Sequence, residues 1–246
     1  VTLGIPWQRG GGSAGGTADP APEPDITGQW TAPTGETPRY GLSLTLGGGE
    51  VTLLDLTTAY ATLANGGERV RPNPILRIAT HEGKVLYDLI EDSEALEPYP
   101  AVDPRAAYIV TDILSDNDAR SPAFGTSSPL NVGVLAAAKT GTTNDYRDNW
   151  TVGYTPYLTV GVWAGNSDNH PMKRSSGVTG AAPIWNGFMR NVAADEDNRA
   201  RVQQAVEDMA LPFATRFQRP DGIVERAVCK LSSLRQLSTA CQEYRN

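Results

Sequence analysis

The chain has 246 residues, enough for one sizeable domain with appendages, and its 39% hydrophobic and 20% charged residues are those of a globular protein. The formal net charge is -7 and the basic residues form no run, which excludes nucleic-acid binding through charge. No apolar stretch reaches the roughly 18 residues of a membrane span, and no charged-then-apolar start marks a signal peptide. The chain opens on Val1, and its first phrase, VTLGIPW, reads as the middle of a longer protein. Residues 8–38 carry GGGSAGG, DPAPEPD and TAPTGETPR, a composition that cannot bury a core and predicts a linker or exposed insertion over residues 1–39. Gly11, Ser13 and Gly15 match the G-x-S-x-G nucleophile elbow, but the strand before and helix after that an elbow needs are both missing from the pattern.

Order is predicted from about Tyr40. Thr52 caps a helix with Asp55 as its partner three residues on. Leu53, Leu56, Tyr60, Leu63 and Ala64 share one face of it, and Asn65-Gly66-Gly67 end it. Residues 75–79 and 85–89 read as a hairpin around His81-Glu82-Gly83-Lys84, with His81 a solvated turn residue. Asp103 followed by Pro104 starts a second helix, on which Ala107, Val110, Ile113 and Leu114 form the expected buried face. Three strands follow, at residues 134–139, 150–154 and 158–164. Their short joins predict an antiparallel sheet. A helix over 181–193 should bury Ile184, Trp185, Phe188, Met189 and Val192, and a polar, partly helical stretch runs on to Met209. Helices before a strand meander define an α+β class. Cys229 and Cys241 lie in a tail over residues 211–246. Their spacing leaves idle thiols, a metal half-site or a disulfide open, and the two histidines of the chain are too far off to complete a zinc site. No cofactor is called for.

The phrase that carries chemistry is Lys139-Thr140-Gly141-Thr142-Thr143. Lys139 puts a cation at the rim of a strand, where it can hold an anion or poise a hydroxyl's proton. Gly141 leaves room for another extended backbone. Thr140 and Thr142 are two apart, so both hydroxyls leave one face and can bind a carboxylate. The Thr142 N–H can point at an oxyanion if the strand is an edge. Such a tripeptide also arises by chance, so its surroundings decide.

Residues 137–166, AAKTGTTNDYRDNWTVGYTPYLTVGVWAGN, closely resemble the transpeptidase domain of class A (bifunctional) penicillin-binding proteins. So do residues 44–67, LTLGGGEVTLLDLTTAYATLANGG, and the run Thr179-Gly180-Ala181-Ala182-Pro183-Ile184-Trp185, in the family's order and spacing. A weaker match is Pro220-Asp221-Gly222-Ile223-Val224 ahead of a cysteine pair. The resemblance covers about residues 40–246, with residues 40–210 as the C-terminal part of the transpeptidase domain. K-T-G accompanies S-x-x-K and S-x-N or S-D-N motifs in this group.

The resemblance implies peptidoglycan cross-linking through a serine acyl-enzyme, with stem peptides and β-lactams as partners. Lys139 and Thr142 would be catalytic, and Thr140, Gly141, Thr142 and Thr143 would bind substrate. It also implies the extracytoplasmic face of a bacterial membrane, reached by an anchor outside this chain, and that oxidising setting favours a Cys229–Cys241 disulfide. No S-x-x-K occurs here. Ser-Asp-Asn occurs at Ser115-Asp116-Asn117 and Ser167-Asp168-Asn169, but both follow the Gly-Gly-Glu-Val-Thr helix that the family's second motif precedes. They read as a helix end and a turn. The nucleophile is therefore expected in a missing N-terminal part of the same domain. Two readings compete: a non-catalytic penicillin-binding-like interaction or sensor module, and a serine β-lactamase or D-Ala-D-Ala carboxypeptidase.

Overall fold

The computed structural model describes residues 47–91, 97–208 and 212–225. The linker over residues 1–39, the Gly11–Gly15 string and the Cys229/Cys241 pair lie outside the described residues. Helix α1 is Leu53–Ala64. Its cap works reciprocally: Thr52 Oγ1 accepts the Asp55 N–H at 3.1 Å and donates to the Asp55 carboxylate at 2.7 Å. Gly67 follows at φ +99°, where a Cβ would run into the Val102 carbonyl. Its own carbonyl accepts from the N–H groups of Ala101 and Val102, 3.0 Å each. This tie sets strand β1 (Glu68–Arg69) against β4 (Tyr99–Pro100). Between them β2 (Arg77–Ala79) and β3 (Val85–Asp88) form the expected hairpin.

Helix α2 (Pro104–Ser115) starts as predicted, with Asp103 accepting the Arg105 N–H at 2.8 Å. Its buried face differs from the apolar count. Ala107, Thr111 and Leu114 turn inward, while Val110 and Ile113 face outward, Ile113 with 65% of its surface exposed. Thr111 is preferred inside because its hydroxyl meets the Tyr154 hydroxyl at 2.9 Å, a pairing that a hydrophobicity scale does not register. Helix α3 (Asn117–Phe124) follows directly, capped by Asp116.

The centre of the fold is a three-stranded antiparallel sheet, ordered β5 (Ala137–Thr142), β6 (Asp148–Thr155), β7 (Leu158–Gly165). The strands are displaced slightly from their expected limits, so that Thr140-Gly141-Thr142 lies within β5 with Lys139 rather than after it. Alternation splits the sheet into two faces. Ala137, Val152 and Tyr154 pack with Tyr60 and Leu63 of α1 and Ala107 of α2. Ala138 packs on the other side with Ala182, Trp185 and Met189 of helix α4 (Ala181–Met189). Here too the apolar stripe misleads. Ile184 is 58% exposed and Phe188 49%, whereas Ala181, Ala182, Trp185 and Met189 are fully buried. Small residues at 181 and 182 let the helix approach the sheet, and Gly153 receives the Trp185 ring where any Cβ would collide with it. A π-turn over Arg190–Ala194 leads to helix α5 (Glu196–Asp208).

Tyr154 is fully buried, with the Tyr60 and Phe217 rings edge-on at 6.1 and 5.6 Å. Burial pushes its phenol from 10.0 up to about 12. Below pH 10 both the folded and unfolded chains hold this proton, and the stabilisation is fully present. Between pH 10 and about 12 only the unfolded chain loses it, so stability falls with rising pH. The loss amounts to about 2–3 kcal/mol. Urea titrations at pH 9.5 and pH 12 should show a drop in the wild type that is larger by about this amount than in Tyr154→Phe, where the Tyr60 and Tyr157 phenols, also raised by burial, still contribute. An equal drop in both would contradict the assignment.

Candidate active site

Strand β5 is an edge of its sheet among the described residues. The orientation of its backbone follows from one bond. The Thr143 N–H donates to the Asp148 carbonyl at 3.1 Å, so Thr143 and, at period two, Gly141 and Lys139 turn their backbone groups toward β6. Thr140 and Thr142 therefore direct N–H and C=O off the open edge. Lys139 Nζ donates to that outward Thr140 carbonyl at 2.6 Å. The lysine is exposed, yet enough protein surrounds its ammonium that desolvation lowers its pKa from the ordinary lysine value. A cation, the Thr142 N–H and outward backbone groups that no other strand pairs among the described residues thus meet on one rim, which can receive an extended peptide ending in a carboxylate.

The side chains of the motif divide. Lys139 and Gly141 belong to the face of α1 and α2, and Thr140 and Thr142 to the face of α4. Thr142 Oγ1 accepts the Gly177 N–H at 2.9 Å, and Thr140 has no side-chain hydrogen bond among the described residues. Thr143 stands apart from this pair. Its hydroxyl donates to the Asp148 carboxylate at 2.9 Å and accepts the Asp148 N–H at 2.8 Å, which closes the β5–β6 turn. The other Asp148 oxygen takes the Trp163 indole N–H at 2.9 Å.

Asn149, Thr151, Ser175 and Gly177 surround the threonine pair and were not singled out from the sequence. The alternation Asn149-Trp150-Thr151-Val152 held a signal: it puts two polar residues on the face that Thr140 and Thr142 share. Gly177 had none, because only the fold returns residue 177 to residue 142. Ser115 ends α2, its hydroxyl donating to the Asp112 carbonyl at 3.0 Å, and Ser167 sits in the turn after β7. A cavity of about 770 Å³ between α2 and residues 219–225 shares no residue with the β5 rim. No group of metal-ligating side chains occurs among the described residues.

Residues 27–190 match the family described as penicillin binding protein transpeptidase domain, and the chain belongs to that family. Penicillin-binding protein 1A of Rickettsia bellii is 31% identical over 209 residues, which cover 78% of this chain and 26% of that protein. The chain thus spans about a quarter of the length of the curated relatives it matches. Among solved structures, the PonA1 protein from Mycobacterium tuberculosis in complex with penicillin V is 27% identical with a TM-score of 0.51, over 60% of this chain and 40% of that one. Penicillin-binding protein 1A from Haemophilus influenzae, at 20% identity and a TM-score of 0.59, covers 78% of this chain and 31% of its own, and shares the α+β fold.

Proposed function

We propose that the chain is part of a serine D,D-transpeptidase that cross-links peptidoglycan and is acylated by β-lactams. The observation that carries this reading is the open β5 rim, where Lys139, the outward Thr142 N–H and the Thr140/Thr142 hydroxyls meet. The donor stem peptide lies extended along β5, with its terminal carboxylate toward the threonine hydroxyls. A serine oxygen attacks the penultimate D-Ala carbonyl, the amide to the last D-Ala breaks, and that D-Ala leaves with the proton. The Thr142 N–H steadies the oxyanion formed on the way, and Lys139 supplies positive charge and a proton-exchanging group at the rim. An amine of a neighbouring stem then attacks the ester and frees the serine. Thr143 is engaged within its turn, so substrate binding rests on Thr140, Gly141 and Thr142.

Since no S-x-x-K occurs in residues 1–246, the nucleophile is supplied from outside them. In this reading residues 1–39 act as a linker or insertion, 40–210 as the C-terminal part of the domain, and 211–246 as a tail. The protein works outside the bacterial cytoplasmic membrane. A hydrolase would turn over nitrocefin rapidly, whereas a transpeptidase is acylated and stalls. Intact mass after incubation with a reactive penicillin tests the reading. An adduct should appear on a chain extended upstream of Val1 and not on the 246-residue chain. An adduct on the shorter chain would place the nucleophile inside it, at Ser115 or Ser167. No adduct on either would favour a non-catalytic module.

A further inference from the structure

The geometry points to the turn at residues 175–180 as a positioning element for Thr142, one that fixes which way its hydroxyl proton faces. This rests on the reading of Thr142 as a carboxylate-binding residue. A hydroxyl has one proton to donate and lone pairs that accept, while a carboxylate only accepts. Thr142 is useful to a carboxylate only when its proton points at the ligand. The Gly177 N–H donates to Thr142 Oγ1 at 2.9 Å. That bond occupies the inner side of the oxygen and leaves the proton free for the open rim.

The donor is itself held in place. Its carbonyl accepts from Thr151 Oγ1 at 3.2 Å and from the Ala182 N–H, in the first turn of α4, at 2.8 Å. A side chain at 177 would strike the Gly141 and Trp150 carbonyl oxygens, 2.5 and 2.7 Å from its Cβ, so the turn approaches the ladder as only glycine can. Two residues earlier the turn is bolted again. Asn149, fully buried and directly opposite Thr142 in register, donates from Nδ2 to Ser175 Oγ at 2.8 Å. Asn149 Oδ1 is buried with no partner among the described residues, so this side chain is held for its donor. The path runs from Trp185 and Met189 in the core, through the start of α4, to Gly177 and then to the Thr142 proton.

Two measurements test this. In the 246-residue chain, hydrogen exchange of the Gly177 amide should quicken at least about tenfold in Thr142→Val while β6 and β7 amides keep their rates. An unchanged Gly177 rate overturns the contact. In the full-length protein, carrying whatever precedes Val1, the acylation rate by a penicillin is compared with that by its methyl ester. Thr151→Val should lower that ratio three- to tenfold by loosening the turn, and Thr151→Ser should restore it. If Thr142→Val leaves the ratio intact, the carboxylate reading itself fails. If Thr142→Val collapses it and Thr151→Val does not, the positioning role alone fails.

Discussion

Replacing Lys139 with methionine is expected to slow penicillin acylation of the full-length protein about 100- to 1000-fold, the usual loss when one electrostatic group is taken from a reacting centre. Methionine keeps much of the stem and removes the charge. Because the residue is exposed and its one hydrogen bond among the described residues goes to the neighbouring Thr140 carbonyl, the fold should be unaffected. Lys139→Arg should not restore the rate fully, since a planar guanidinium does not exchange its proton near neutral pH and cannot occupy the same point. Stopped-flow labelling with a fluorescent penicillin gives the rate constant. A loss under about threefold for the methionine variant would remove Lys139 from the reacting centre.

The second large effect is structural. Trp185→Ala should cost about 3–5 kcal/mol, as truncation of a fully buried indole does. The neighbours cannot collapse into the space, because the ring lies directly on the Gly153 backbone, which belongs to a sheet fixed by its ladders. Trp185→Phe should cost clearly less. It keeps most of the packing and deletes an indole N–H that is buried without a partner among the described residues. Urea unfolding of the three proteins decides. Equal midpoints for wild type and Trp185→Ala would mean that α4 does not hold the sheet.

Local signals in the sequence located the elements well and oriented them less well. The Thr52–Asp55 box, the Asp103-Pro104 start and the short joins of the meander are each decided by residues next to one another, and the structure has them where they were expected. Orientation failed in part on α2 and α4, where Ala107, Leu114, Trp185 and Met189 turn inward as expected and Val110, Ile113, Ile184 and Phe188 do not, for a common reason. Counting apolar residues selects the greasiest stripe, but here the sheet admits only what fits it: Thr111 for its hydroxyl bond, and alanines at 181 and 182 for close approach. Ile113, Ile184 and Phe188 are left outside. The candidate site on β5 was legible because Lys139, Thr140, Gly141 and Thr142 are contiguous. Gly177 and Ser175 were not, because they reach Thr142 and Asn149 only through the fold.

The three strands that present the rim are consecutive in the chain. Residues 143–147 turn β5 into β6, and Pro156 and Tyr157 alone turn β6 into β7. Contacts this local close with little loss of loop entropy and form early in folding. Helix α1, which ends at Ala64, must come from far upstream to cover one face. The β5 edge can therefore be assembled as a ready hairpin ribbon onto which distant segments dock later. Strand β5 is then expected to find its pairing before the helices that flank it.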